Sequence, residues 1–145
     1  MWGGAPAFLE HRSVAAGEVG ALGRRYLITF EQFEDVLAQE NGRDHLPVAE
    51  IPRSGARTIV GPGRYDQVVG LAPVDGIPVV SFTSPEPPEA AEPSAPSAAY
   101  LGHIVRGIHA VHDLDHAEIS AHLLEASGVR PTWNQATIGD LFHLD

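Results

Sequence analysis

Residues 29–42, TFEQFEDVLAQENG, place one carboxylate, Glu40, at the end of a short helical pattern with apolar neighbours on the same face. By residue type alone Glu40 reads as a solvated helix-end carboxylate. A second concentration of reactive groups lies further on, where five of the eight histidines fall between His103 and His122. His109 and His112 are i, i+3 neighbours, and His112-Asp113-Leu114-Asp115-His116 gathers imidazoles and carboxylates of the kind zinc or nickel accepts. The same segment also reads as the turn between two helices, where Asp caps and His is tolerated on a solvated surface. The expectation is that it holds no metal.

What the chain lacks narrows the chemistry further. All nine basic residues are Arg, so no side chain can form a Schiff base and no P-loop lysine is available for phosphate. The absence of Cys excludes thiolate nucleophiles, disulfides and Cys-containing zinc sites, and fits a reducing compartment. Nineteen acidic residues give a formal charge of -10, which repels nucleic acid and anionic membrane surfaces. The opening MWGGAPAFLEHR has neither a basic n-region nor an apolar h-region, and no apolar run has the length of a membrane span. A cytoplasmic protein without nucleic-acid or membrane partners is expected.

The elements that must position these groups follow from periodicity. At 145 residues with 43% hydrophobic content, the chain fits a single domain over 1–145. Residues 5–10 and 18–28 read as strands, the second apolar on both faces, with Gly20 and Gly23 marking a bend. Thr29 with Gln32 has capping-box spacing, and Phe30, Phe33, Val36 and Leu37 recur at helical intervals until Asn41-Gly42 stops the helix. Residues 43–63 read as a long loop with a brief strand near 58–60. Residues 65–72 and 77–83 form a strand pair joined by Asp75-Gly76, a tight hairpin turn. Residues 84–96 carry five prolines and three glutamates and read as an extended loop. The remaining part, 97–145, is helical: Ser97 caps one helix, Asp115 and Glu118 open a second over 115–126, and a third covers about 134–142. The expected fold is α+β, a small curved mixed β-sheet or barrel with flanking helices.

Taken in order, Trp2-Gly3-Gly4 before the first strand, Leu37-Ala38-Gln39-Glu40 closing the helix, Tyr65 on the next strand and Pro96-Ser97-Ala98-Ala99-Tyr100 opening a helix resemble the γ-glutamylcyclotransferase family over residues 2–111. The resemblance implies an enzyme without cofactor that cyclises a small-molecule γ-glutamyl amine or peptide to 5-oxoproline and releases the amine. Glu40 matches the family's catalytic glutamate, which takes a proton from the attacking ammonium and returns it to the leaving nitrogen; a carboxylate whose pKa is raised by partial burial serves both roles. Tyr65, Tyr100, Gly3 and Gly4 match substrate-binding positions.

Two departures bear on that expectation. The family opens with a strand and a Tyr-Gly-Ser-Asn loop whose backbone amides hold the substrate, and this chain starts just downstream of it. Between Glu40 and Tyr65 there is also an insertion of some twenty residues relative to compact family members. Residues 1–145 alone are therefore expected to turn over very slowly or not at all, and a non-catalytic small-molecule or protein-binding member of the fold is the alternative. The C-terminal AEISAHLLEASGVRPTWNQATIGDLF also looks like the helix-turn-helix end of serine recombinase-type proteins, but no basic residue follows Asn134, so DNA reading is a distant third.

Overall fold

The computed structural model describes residues 20–85, 94–126 and 128–143. The expected strand over 5–10, the glycines Gly3 and Gly4 and most of the 84–96 loop lie outside these residues. In order, the elements are helix α1 (Phe30–Glu40), strands β1 (Arg57–Ile59), β2 (Gln67–Val74) and β3 (Ile77–Thr83), and helices α2 (Ala98–Val111), α3 (His116–Leu124) and α4 (Gln135–Asp140), the last continued by a tight 3₁₀ turn over Leu141–His143. This is an α+β arrangement. The described residues fall into two compact units, one holding 26–85 and the other 20–25 with 94–143.

In the first unit the sheet order is β1-β2-β3, with both pairs antiparallel. The expected mixed sheet is thus antiparallel throughout among the described residues. Asp75 and Gly76 both have positive φ, 51° and 78°, the backbone a two-residue hairpin of matching twist requires. α1 begins where a reciprocal cap satisfies two free amides: Gln32 N–H donates to Thr29 Oγ1 (3.2 Å) and Thr29 N–H to Gln32 Oε1 (2.9 Å). The Glu31 carboxyl in the first turn is held below its usual range, mainly by a backbone N–H and then by the Thr29 hydroxyl. Phe33, Leu37 and Ala38 face inward from α1 and form the core with Leu46, Val48 and Val68. Their spacing of four, one and near-whole turns is the apolar stripe that the helical period dictates.

The strand expected over 18–28 is not formed in its described part, 20–28, which belongs to no helix or sheet. Leu22 is half-buried against the second unit's core, while Tyr26 and Leu27 are 68% and 84% exposed. A strand apolar on both faces needs cover on both, and here Gly20, Gly23 and the Arg24-Arg25 pair interrupt the run that would attract it.

The second unit is built around Leu101, Val105 and Ile108 of α2, Ile119 and Leu123 of α3, Val129, and Ile138 and Leu141 at the C-terminal end. Ser97 caps α2, and Asp115 and Glu118 form a reciprocal cap on α3 with both bonds at 2.8 Å. Trp133 Nε1 donates to the Pro96 carbonyl (3.2 Å), so this half-buried indole ties the turn before α4 to the entry of α2. Among the described residues no helix is long and apolar enough to cross a membrane.

Gly107 sits exposed within α2 with nothing near the position a Cβ would take. Gly107→Ala should raise the stability of this unit by about 0.5–1 kcal/mol, because alanine loses less backbone freedom on entering a helix. A higher urea midpoint checks it.

Candidate functional site

Glu40 is the last residue of α1, and the helix stops directly after it in a Schellman arrangement. Gly42 takes the left-handed φ of 64°, its N–H donates to Gln39 O (3.0 Å), and Arg43 N–H donates to Ala38 O (2.9 Å). Asn41, between Glu40 and Gly42, does more than stop the helix. Its Nδ2 donates to Leu37 O (2.9 Å) and to Tyr65 O (3.0 Å), while its Oδ1 accepts from Tyr65 N–H (2.9 Å). The carboxamide pairs with both backbone groups of Tyr65, as a peptide unit of a neighbouring strand would. Residues 24 positions apart are thereby fastened together.

The turn that presents Tyr65 is held from several sides. Asp66, only 5% exposed, accepts from Gly63 N–H through Oδ2 (2.9 Å), and its carbonyl accepts from Val60 N–H (2.9 Å). Arg43 donates through Nη2 to the Pro62 carbonyl. The other Asp66 oxygen, Oδ1, is buried without a hydrogen-bond partner. Tyr65 itself is half-buried and meets Phe82 edge-on at 5.8 Å, at the end of an aromatic row that continues through Phe33 to Phe30. It stands two residues before β2, which begins at Gln67, and so not on the strand expected over 65–72.

Glu40 is exposed, so the partial burial expected of an acid/base carboxylate is not seen. Among the described residues, no group donates a hydrogen bond to its carboxylate or forms an ion pair with it. Tyr100 belongs to the other compact unit, half-buried in the first turn of α2, with its N–H donating to Ser97 Oγ (3.3 Å). In the first unit Glu40 is therefore the sequence neighbour of a residue bonded to both backbone groups of Tyr65. Sequence reasoning treats Asn41 as a helix stop and passes over Gly63 and Asp66. The Asn-Gly pair announces the cap, but nothing local announces its partner across the chain.

Three of the C-terminal histidines, His109, His116 and His143, make ring contacts. His116 lies flat on Phe142, with centroids 3.7 Å apart and planes at 17°, and His109 approaches both rings edge-on at 5.1 and 5.9 Å. His143 meets His116 edge-on at 6.3 Å. Imidazole faces are thus used for aromatic contact between α2, α3 and the C-terminal turn. Among the described residues no group of three or more His, Asp or Glu is disposed to hold a metal ion. EDTA should accordingly leave the melting temperature unchanged; a drop restored by zinc would overturn this expectation. Compared with protein-family models, with curated proteins and with solved structures, the chain gives no match.

Proposed function

We propose that this chain acts as a γ-glutamylcyclotransferase-like enzyme in the cytoplasm, without cofactor, on a γ-glutamyl amine or peptide. The α-amino nitrogen of the γ-glutamyl unit attacks its own γ-carbonyl carbon, a C–N bond forms to close the five-membered ring, and the original amide C–N bond breaks. The proton lost by the attacking nitrogen passes to Glu40 and from there to the leaving nitrogen, giving 5-oxoproline and a free amine. Tyr65 orients the substrate beside Glu40, and Tyr100, Gly3 and Gly4 are assigned to substrate by the same resemblance. The observation that carries the reading is that Glu40, an accessible carboxylate, directly precedes the residue that is hydrogen-bonded to both backbone groups of Tyr65.

The exposure of Glu40 favours a second reading, a non-catalytic member of the fold that binds a γ-glutamyl compound or another small molecule, since an exposed carboxylate is a weaker candidate for shuttling an ammonium proton. Incubation with γ-glutamyl amines and peptides, following 5-oxoproline and free amine together, decides between them. Equal release of both products supports the enzyme. Calorimetric binding without release supports the binding protein, and the absence of both binding and release removes both readings.

A further inference from the structure

Glu40 has no hydrogen-bond or ion-pair partner among the described residues, so any fixed relation between its carboxylate and Tyr65 is transmitted through the backbone at the end of α1. The Schellman turn fixes that backbone relative to α1 itself. The Asn41 carboxamide, half-buried and hydrogen-bonded at 2.9, 3.0 and 2.9 Å, fixes it directly to the Tyr65 backbone, while Arg43 reaches the same turn one step away at the Pro62 carbonyl. We propose that Asn41 is a positioning residue that sets Glu40 against Tyr65, and that Gly63 is the residue that makes room for it.

Gly63 supports this assignment independently. A Cβ built there would run into Asn41 Oδ1 and lie 3.0 Å from Asn41 Cγ. The Asn41 side chain is short and committed at both ends, so it cannot move aside without giving up its bonds to Tyr65. The turn cannot readily retreat either, because Gly63 N–H is held by Asp66 Oδ2 and the Pro62 carbonyl by Arg43. Gly63 and Asn41 form one device in which the missing side chain of one is filled by the carboxamide of the other.

The inference rests on Glu40 being the acid/base, and its test separates the two claims. In Asn41→Ala, Gly63→Ala and the double variant, the backbone order parameter at Glu40 and hydrogen exchange at the Tyr65 amide are measured by NMR, with Val68 and Val69 as internal references. Each single variant should speed Tyr65 exchange by about tenfold, the factor that loss of one ordinary net hydrogen bond gives, and lower the Glu40 order parameter. The double variant should show no further change, because Gly63→Ala acts by evicting Asn41. Additive effects, or an unchanged Glu40 order parameter, overturn the proposal. In the release assay the same variants should lower kcat per folded molecule with KM unchanged, the folded fraction being read from the NMR spectra, because a loss of folded protein alone would leave that normalised kcat at the wild-type value. If the unaltered protein releases no 5-oxoproline, the catalytic reading of Glu40 fails, while the order parameters still decide whether Asn41 positions it.

Discussion

Gly70→Ala is expected to cost the 26–85 unit about 3 kcal/mol or more, the range reached when a side chain is forced into space already filled. Gly70 is buried in the middle of β2, and the chain at 52–56 folds back over it. A Cβ there would run into the carbonyl oxygens of Pro52 and Arg53 and come within 2.6 Å of the Arg53 carbonyl carbon. These are main-chain atoms, so no rotamer change relieves the clash. Nor can Gly70 withdraw, since its N–H donates to Ala56 O (3.0 Å), its carbonyl accepts from Gly55 N–H (2.9 Å), and it pairs with Val80 on the other side. Hydrogen exchange at the Val68 and Val69 amides and a urea titration measure the loss. A wild-type midpoint would show that the 52–56 segment lifts off β2 easily, and Glu40 and Tyr65 would then stand on a less rigid base than the hydrogen bonds indicate.

Features that depend on neighbours within four residues were legible before any coordinates. The Thr29/Gln32 and Asp115/Glu118 boxes, the Asp75-Gly76 turn and the β3 bounds of 77–83 all follow from local backbone chemistry, and the structure bears them out. What failed to show was whatever depends on a distant partner. Gly70 looks like any strand glycine until 52–56 is seen crossing it, and Asn41 looks like a helix stop until Tyr65 is found against it. The 20–28 segment misled for the complementary reason: its two-sided apolar pattern specifies that a strand could be buried there, but not that two covering layers exist. The candidate site is legible only as a list: the sequence names Glu40 and Tyr65, and it names Asn41 only as a helix stop, without its bonds to the Tyr65 backbone.

Glu40→Gln is expected to reduce 5-oxoproline release by about 10²–10⁴-fold, the contribution of a positioned general acid–base group, while leaving the fold intact. The structural half of that expectation comes from exposure and from the absence of a partner: the Glu40 carboxylate caps nothing and forms no bond among the described residues, so exchanging one oxygen for NH₂ removes no stabilising contact. Surface changes of this kind stay within about 0.5 kcal/mol, and the Asn41 bonds to Leu37 and Tyr65 should persist. The chemical half follows from the proton path. Glutamine keeps the length and shape of the side chain but can neither take the proton from the attacking ammonium nor hand it to the leaving nitrogen, so substrate still binds and kcat falls. Glu40→Asp keeps the carboxylate on a shorter arm and should lie between the two, because proton transfer needs hydrogen-bond reach as well as basicity. Release that survives Glu40→Gln with the fold unchanged would move the base elsewhere in the chain. A fall in substrate affinity with kcat unaltered would instead make Glu40 a binding carboxylate for the substrate's ammonium, the role that its solvated position at the end of α1 fits without any burial.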